Sequence, residues 1–390
     1  MNQLTMDRKI RVGITHGDIN GISYEVILKT LSDDKLTELC TPVLFGSGKV
    51  AGYYRKMLGL DEIRFNNISD ASNAKDGCVN LLNITTQELK IEPGVATIES
   101  GKAAIMALDK GVEAILKGDI DVLVTAPINK AAMQMAGFEF PGHTEYLDAK
   151  AGERFHSTMT FVDDKLRVAL LTNHIPISQV PAQTKEEKIV EKLLEMDKWL
   201  KRDFGCSKPL IAVLALNPHS SDDGLIGSEE KEQIMPALEK ANKEGVMAFG
   251  PYPADGFFGS DNWTKFDAVL SMYHDQGLVG FKSLSGSEGV NVTCGLPFVR
   301  TSPDHGTGYD IAGKGIADPT SLRHAIFTAI DIFRTRLSFD EARENPLQEQ
   351  SNEKHERKNS YKPQKVMERE EVRKVNAEVS LEENLKTKEE

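Results

Sequence analysis

The sequence has few cysteines, no excess of positive charge and no long hydrophobic run. Its four cysteines are scattered without a CxxC pair, which argues against a zinc knuckle or a disulfide framework and predicts reduced, mostly buried thiols. No segment has the unbroken apolar length of a membrane span, and the first residues lack the apolar core of a signal peptide. The formal net charge of −12 disfavours general binding to nucleic acid or to an anionic membrane. We therefore expect a cytoplasmic protein with neither of these partners.

The C-terminal segment lacks the residues that a folded core needs. From residue 341 to residue 390 there is no glycine and a single aromatic residue, Tyr361, whereas 11 Lys or Arg and 13 Asp or Glu are present. Such a segment cannot bury a core of its own. We expect residues 341–390 to form a charged tail that is disordered or a solvated helix.

The rest of the chain alternates short β-rich runs with longer segments of helical period. Examples are "KIRVGITHGD" followed by "SYEVILKTLSD", "TPVLFGSG" followed by "VAGYYRKMLG", and "DVLVTAPINK" followed by "AAMQMAG". This alternation predicts an α/β fold with a largely parallel sheet. In such sheets, ligands bind outside the carboxyl ends of the strands.

Three histidines follow predicted strands, namely His174, His219 and His274. If their strands are neighbours, three imidazoles can meet at one edge of the sheet and bind a divalent cation. Any one of them could instead be a hydrogen-bonded loop residue. Asp275, beside His274, and Asp255 are candidates for proton transfer or for orienting a metal ligand, although both could be turn residues.

Two glycine-rich segments are candidates for nucleotide binding, and the first is a poor one. Gly46-x-Gly48-x-x-Ala51 follows a predicted strand and formally matches the dinucleotide fingerprint. The fingerprint should open the first βαβ unit of a fold, however, and this segment does not. Asp70 lies near the position expected for the acid that binds the ribose, but the sequence around it resembles a loop. We favour a plain strand-to-helix turn at this segment.

The second segment is "TSPDHGTGYDIAGKGIADPTSL", residues 301–322. Its glycines, among them Gly306, permit close approach of the backbone to a ligand. His305 and Asp310 can offer stacking and recognition of a hydroxyl group. Glycine-rich segments are often ordinary loops, so this pattern is weak when it is taken alone.

Longer blocks of the sequence resemble a known family. The blocks are "VTAPINKAAM", "FPGHTEYL", "NPHSSDDGLIGSEE", "GPYPADGFF", "MYHDQGL" and "GVNVTCGLPFVRTSPDHGTGYDIAGKGIADPTSL". In order and spacing they resemble the 4-hydroxythreonine-4-phosphate dehydrogenase family of vitamin B6 biosynthesis, from about Arg11 to about Ile330. The last block also resembles the cofactor loop of isocitrate and isopropylmalate dehydrogenases. The resemblance implies their fold, in which two α/β/α domains flank a cleft and the dinucleotide binds without a Rossmann fingerprint.

The domain division expected from this resemblance is discontinuous. Residues 1–130 and 300–340 would form a cofactor-side α/β domain. Residues 131–299 would form a second α/β domain that carries the metal, the substrate and the dimer contact. The tail, residues 341–390, would belong to neither.

The resemblance also implies an activity and its participants. It implies metal-dependent oxidation of 4-phosphohydroxy-L-threonine at C3 by NAD or NADP, followed by decarboxylation to 3-amino-2-oxopropyl phosphate. Each active site of a homodimer would hold one divalent ion, Zn, Mg or Co, with ligands from both subunits. The residues implied are His174, His219 and His274 for the metal, and His143, Thr144, Lys282, Asn291 and Arg300 for the substrate. Beside them we assign His305, Gly306 and Asp310 to the cofactor, and His274, Asp275, Asp255 and Lys282 to catalysis.

The sequence departs from the family at "GDINGISYE", residues 17–25, where two prolines and a glycine of the usual loop are missing. This change alters the stiffness of the loop. Relatives with the same fold and metal trio oxidise 4-phosphorylated erythronate or threonate, so the substrate stays open between an amino acid and a hydroxy acid. A three-histidine hydrolase and a catalytically silent binding protein are alternatives from other classes. The glycine-rich block weighs against the hydrolase, and the full set of matched polar positions weighs against the silent protein.

Overall fold

The computed structural model describes residues 8–152 and 157–345. The predicted charged tail lies almost wholly outside the described residues, so its conformation stays a prediction. The strands in the described part are β1 Ile10–Thr15, β2 Cys40–Gly46, β3 Phe65–Ile68, β4 Val79–Asn83, β5 Val122–Thr125, β6 Thr158–Val162, β7 Arg167–Leu170, β8 Leu210–Leu214, β9 Met247–Tyr252, β10 Ala268–Ser271, β11 Val290–Cys294 and β12 Val299–Pro303. The helices there are α1 Ser23–Leu31, α2 Asp34–Leu39, α3 Gly48–Leu58, α4 Ile98–Lys117, α5 Lys130–Met135, α6 His143–Ala151, α7 Val180–Gln183, α8 Glu186–Asp203, α9 Met235–Lys243, α10 Ala254–Phe258, α11 His274–Ser285 and α12 Thr320–Glu344.

All these strands belong to one sheet with the order β3-β4-β2-β1-β5-β12-β11-β6-β7-β10-β8-β9. Neighbouring strands are parallel except in the centre, where β12 and β11, β11 and β6, and β6 and β7 pair antiparallel. The predicted α/β fold with a largely parallel sheet is therefore confirmed. The antiparallel centre was not predicted. On one side of it the strands come from residues 10–125 and 299–303, and on the other side they come from residues 158–294. The order is compatible with the expected discontinuous division, which stays a prediction.

Local sequence explains where the helices begin and end. Thr97 and Ser100 form a reciprocal capping box at the start of α4, and Gly118, with φ of 78°, ends it in the left-handed conformation. Ser47 caps α3 by accepting a hydrogen bond from the amide of Val50. The Gly46-x-Gly48 segment is thus an ordinary turn between β2 and α3. Within the described residues, no helix combines the length and the apolar character that crossing a membrane requires.

A buried ion pair fastens the last helix to the body of the protein. Arg336 on α12 donates to both carboxylate oxygens of Asp203 on α8, at 2.7 and 2.8 Å, and to the carbonyl oxygen of Leu296 at 3.2 Å. Both charged side chains are at least nine-tenths buried. The pair therefore joins two helices and the turn between β11 and β12.

Strand β10 leads directly into α11, which begins at His274. Gly277 lies inside this helix, where a Cβ atom would come within 2.5 Å of Ser271 Oγ and 2.8 Å of Val168 Cγ1. Glycine is therefore needed for close packing of α11 on β7 and β10. The four cysteines are free, as predicted, but only Cys40 and Cys294 are buried, whereas Cys78 and Cys206 are partly exposed.

Candidate active site

A cavity of about 280 Å³ lies over the antiparallel centre of the sheet, beside α5, α6 and α11. Its wall is built from segments that are far apart in sequence, because β5, β12, β11 and β6 are neighbours in the sheet. The cavity brings together most of the residues predicted for the site. Those that line it are His143, Thr144, His174, His274, Lys282, Asn291, Arg300, His305 and Gly306.

Arg300 on β12 forms a fully buried part of the cavity wall. Its guanidinium donates to Thr125 Oγ1 at 2.6 Å and to Thr293 Oγ1 at 2.8 Å. These hydroxyl groups are neutral, so the positive charge is hydrogen-bonded but not balanced by them. Burial lowers the pKa of Arg300 to about 9, and the more distant charge of Glu145 only partly opposes this effect. An anion that enters the cavity would supply the missing charge.

His143, the first residue of α6, is held by Arg300. A guanidinium N–H of Arg300 donates to His143 Nδ1 at 3.1 Å, which leaves the proton of the neutral ring on Nε2. Burial, and then the charges of Arg300 and Lys130, hold the pKa of His143 well below its ordinary range. His143 is thus neutral near pH 7.

Three buried polar atoms of the cavity have no hydrogen-bond partner among the described residues. They are Nε2 of His143, Oδ1 of Asn291 and Nε2 of His305. Unpaired buried polar groups are costly, and at a cavity wall they indicate where a ligand supplies the partner. The cavity therefore matches a polar, anionic ligand that can both donate and accept hydrogen bonds.

Lys282 on α11 connects the cavity to the glycine-rich segment. Its ammonium group lies 3.0 Å from Asp304 Oδ1 and donates to the carbonyl oxygen of Asp304 at 3.1 Å. Burial raises the pKa of Asp304, and the hydrogen bond from Lys282 opposes this rise. The next residue, His305, has Nδ1 3.0 Å from the carbonyl oxygen of Gly306. Lys282 is therefore fixed where α11 meets the start of the segment.

His174 and His274 come together at the side of the cavity. They follow β7 and β10, which are adjacent and parallel, and their ring centroids are 5.6 Å apart. His274 Nδ1 lies 2.7 Å from Asp275 Oδ1, so the carboxylate can hold the Nδ1 proton and leave Nε2 as a metal ligand. Burial, Lys130 and His274 lower the pKa of His174. A neutral imidazole is the form that binds a metal ion.

His219 also follows a neighbouring parallel strand, β8, but it does not line the cavity. Residues 219–223 form a left-handed turn, with φ between 46° and 66° at five consecutive non-glycine positions. Ser220 Oγ ties this turn to the carbonyl oxygen of Pro251 at 3.0 Å. In the part of the chain that the structure describes, no three His, Cys, Asp or Glu side chains converge as a metal-binding group.

The remaining predicted residues lie outside this cavity. Asp255 on α10 and Asp275 are exposed and face a separate hollow against α11. Asp310 is exposed within the glycine-rich segment. Of these three, only Asp275 contacts a cavity residue, through His274.

Sequence reasoning assigned no role to three charged residues that line the cavity: Lys130, Glu145 and Asp304. Lys130 stands at the start of α5, directly after the capping residue Asn129, and its ammonium group makes no hydrogen bond or ion pair with another described residue. The block "VTAPINKAAM" contains Lys130 just beyond a predicted strand, so the rule that was applied to the histidines would also have found it.

Comparisons with known proteins agree on one family. The family model described as pyridoxal phosphate biosynthetic protein PdxA matches residues 38–329. A 4-hydroxythreonine-4-phosphate dehydrogenase of Bacteroides thetaiotaomicron is 51% identical over 350 residues, covering 90% of this chain and 96% of the relative. A protein of Oceanobacillus iheyensis, provisionally named D-threonate 4-phosphate dehydrogenase, is 37% identical over 337 residues, with 85% of this chain and all of the relative covered.

A solved structure supports the same assignment. The crystal structure of 4-hydroxythreonine-4-phosphate dehydrogenase from Klebsiella pneumoniae superposes with a TM-score of 0.72 and 31% sequence identity. The match covers 84% of this chain and 99% of that one. The family model and the relatives span the strands and helices that build the cavity. This chain belongs to the family of the pyridoxal phosphate biosynthetic protein PdxA.

Proposed function

We propose that this protein oxidises 4-phosphohydroxy-L-threonine at C3 with NAD or NADP and then decarboxylates the product to 3-amino-2-oxopropyl phosphate. This reaction would serve the biosynthesis of pyridoxal 5'-phosphate. Family membership supports the reaction class, because the relative from Bacteroides thetaiotaomicron carries the corresponding dehydrogenase name. It leaves the hydrolase alternative without support.

One observation in the structure carries the proposal: the fully buried guanidinium of Arg300, whose hydrogen-bond partners are all uncharged. The proposed substrate carries a phosphate and a carboxylate. Arginine binds either group with two parallel hydrogen bonds. Lys282 and Lys130 add further positive charge to the same cavity. These three basic side chains can therefore bind both anionic groups of the substrate inside the cavity, although the protein as a whole is acidic.

The unpaired polar atoms of the cavity would orient the substrate between its anionic ends. His143 Nε2–H can donate to a substrate oxygen, and Asn291 Oδ1 can accept from an ammonium or hydroxyl group. Thr144 adds a mostly buried hydroxyl beside His143. These contacts would hold C3 of the substrate in one orientation.

We assign metal binding to His174 and His274, together with His219. The first two fit a divalent cation, since their rings lie together, His174 is disposed to be neutral, and Asp275 orients His274. A bound zinc, magnesium or cobalt ion would act as a Lewis acid toward the oxygen on C3. The sequence resemblance supports a homodimer whose subunits both contribute ligands, and we propose that His219 meets the other two across such an interface.

The dinucleotide would bind against the glycine-rich segment. A second cavity of about 360 Å³ lies beside the first and shares Lys282, Asp304 and His305 with it. NAD or NADP bound there would accept the hydride from C3. His305 lines both cavities, so one side chain contacts the proposed positions of substrate and dinucleotide. Gly306 and Asp310 would lie along the same ligand.

Lys282 is the residue to which we assign proton transfer. Loss of carbon dioxide from the β-keto acid leaves an electron pair on C2, and a proton must be delivered there. The ammonium group of Lys282 is an acid at the cavity wall, and Asp304 holds it in place. Asp255 and Asp275 lie outside the cavity, so we give Asp275 the task of orienting His274 and assign Asp255 no direct contact with substrate.

The test is formation of NADH or NADPH by the purified protein, assayed with NAD+ and with NADP+ in the presence of zinc, magnesium or cobalt. 4-Phosphohydroxy-L-threonine is the test substrate, with His274→Ala and, as a matched control, His324→Ala on α12, which does not line the cavity. We expect metal-dependent turnover that is lost in His274→Ala and kept in His324→Ala. No turnover with any metal would refute the proposal.

A second candidate substrate is a 4-phosphorylated hydroxy acid, threonate or erythronate. The provisional name of the Oceanobacillus iheyensis relative favours this alternative. The same assay with 4-phosphothreonate and 4-phosphoerythronate distinguishes the two, since the hydroxy acids lack the ammonium group. If only a hydroxy acid is oxidised, the proposed mechanism still holds, but the reaction does not serve the biosynthesis of pyridoxal 5'-phosphate. A cytoplasmic location, expected from the sequence, remains a prediction.

A further inference from the structure

The loop that follows the first strand lies against residues 304–318 of the glycine-rich segment. The amide of Ile22 donates to the carbonyl oxygen of Thr307 at 2.9 Å. A Cβ atom on Gly21 would come within 2.6 Å of that same oxygen, so the approach requires glycine. Gly308, with φ of 53°, packs on the side chain of Ile22. The backbone of the loop is therefore in direct contact with the backbone of the glycine-rich segment at Thr307.

A side-chain contact reinforces this approach. The hydroxyl of Tyr309 donates to Asp18 Oδ2, and the other carboxylate oxygen of Asp18 accepts from the amide of Asn20 at 2.8 Å. Asp18 is 1% exposed, and burial raises its pKa while the Tyr309 hydrogen bond opposes the rise. A hydrogen bond to a carboxylate in such a dry environment is stronger than one at the surface. We call this pair the Asp18–Tyr309 latch.

The far end of the segment is held by helix α1. Glu25 Oε1 accepts from the amide of Ala317 at 2.6 Å, and Lys29 Nζ donates to the carbonyl oxygens of Ala317 and Gly315 at 2.7 and 3.0 Å. Glu25 and Lys29 are themselves paired at 2.9 Å. Three separate contacts thus fix the segment at Thr307, at Tyr309 and at residues 315–317.

The first-strand loop is itself anchored by side chains at the altered positions. Asn20 Oδ1 accepts from the amide of Glu92 at 2.8 Å, and its Nδ2 donates to the carbonyl oxygen of Val95 at 2.9 Å. Ser23 Oγ donates to the carbonyl oxygen of Pro127 at 3.0 Å. These bonds restrain a loop that lacks the two prolines of the usual family sequence. The loop is therefore a fixed support for residues 304–318.

We propose that the Asp18–Tyr309 latch pre-orders the glycine-rich segment for the dinucleotide, so that Asp18 and Tyr309 are positioning residues for cofactor binding. This inference rests on the proposed function, in which His305, Gly306 and Asp310 contact NAD or NADP. A segment that is ordered before binding loses less conformational entropy when the ligand arrives, which raises affinity. Asp18 and Tyr309 line neither of the two cavities, so the latch would act on the dinucleotide through the segment that carries His305, Gly306 and Asp310.

The variant Tyr309→Phe keeps the ring and removes the hydroxyl that forms the latch. Tyr53→Phe is the matched control, because Tyr53 is 47% exposed and its hydroxyl bonds to no other described residue. In the ligand-free protein, hydrogen exchange of the amides in residues 304–318 should be about tenfold faster in Tyr309→Phe, as expected for a loss of about 1.4 kcal/mol. Calorimetric titration with NAD+ should give a Kd about tenfold higher.

Steady-state kinetics separate positioning from catalysis. In Tyr309→Phe the KM for the dinucleotide should rise about tenfold, while kcat at saturating dinucleotide and the KM for the phosphorylated substrate stay within about twofold. Asp18→Asn keeps a hydrogen-bonding group opposite Tyr309, so its Kd should lie between those of the unsubstituted protein and Asp18→Ala. This graded series is expected of a latch and not of general damage to the fold.

The outcomes distinguish the inference from the proposed function. If the unsubstituted protein binds NAD+ and Tyr309→Phe binds it equally well, the latch has no role in positioning. Unchanged exchange in residues 304–318 would also refute the latch. If the unsubstituted protein binds neither NAD+ nor NADP+, the proposed function fails, and the positioning role fails with it.

Discussion

Replacing Arg300 by methionine should stabilise the ligand-free protein and remove its response to anions. Burial lowers the pKa of Arg300 from the ordinary value of an arginine to about 9, so the folded state carries the charge at a cost of about 5 kcal/mol. Methionine would lose four guanidinium hydrogen bonds, two to Thr125 and one each to Thr293 and His143, each contributing about 1 kcal/mol. We therefore expect a net gain of about 1 kcal/mol in the free energy of unfolding.

The pH dependence of stability provides an independent check on the same residue. The pKa of Arg300 in the folded state lies below its value in the unfolded chain, so above about pH 9 the unfolded chain binds more protons. The contribution of Arg300 to the free energy of unfolding should therefore rise with pH above about pH 9. The free energy of unfolding of Arg300→Met should rise less steeply than that of the unsubstituted protein above pH 9.

The assay is urea unfolding with and without inorganic phosphate. Phosphate should stabilise the unsubstituted protein, because it neutralises Arg300, and should leave Arg300→Met unchanged. Arg64→Met is the matched control, since Arg64 is exposed and should keep the phosphate response. A variant that lost more than about 2 kcal/mol and still responded to phosphate would refute the reasoning.

Three further predictions concern charged groups elsewhere. Asp203→Ala should lower the free energy of unfolding by about 3–5 kcal/mol, because it leaves Arg336 buried without its partner, whereas Glu113→Ala at an exposed pair should leave the midpoint of the same urea titration almost unchanged. Lys130→Met should raise the KM for the phosphorylated substrate about tenfold and leave the unfolding midpoint unchanged, since an unpaired ammonium is lost from the cavity. Burial lowers the pKa of His16 to about 4, so the unfolded chain binds more protons between about pH 6.5 and pH 4. Stability should fall by up to about 3 kcal/mol as pH drops through that window, and thermal unfolding of His16→Phe should show a smaller fall.

The alternation of strands and helices was readable from the sequence because each element has local causes. The β-rich runs became β1, β2, β5, β7, β8 and β10, and the helical segments between them became helices. The way the antiparallel centre of the sheet joins its two strand pairs was not readable. β6 and β7, and β11 and β12, pair antiparallel because only a few residues connect them, but pairing of β11 with β6 depends on contacts between residues more than a hundred positions apart.

The site was predictable where chemistry follows a strand end and unpredictable where it depends on packing. His174 and His274 meet because β7 and β10 are parallel neighbours, as strand-end reasoning expected. His219 also follows a strand, yet residues 219–223 form a left-handed turn. The serine and aspartate residues of this turn do not predict a left-handed conformation over five consecutive positions. The isolation of Arg300 from any carboxylate partner could not be read from "PFVRTS", since it depends on what β5, β11 and α6 place around it.

The acidity of the whole protein and the positive charge of its cavity act over different distances. A formal net charge of −12 repels an anionic substrate in general, but at physiological ionic strength charges beyond about 8 Å are largely screened. Within the cavity the low dielectric strengthens the interaction of Arg300 with a bound phosphate or carboxylate. Affinity for the substrate must therefore come from the buried guanidinium and its neighbours.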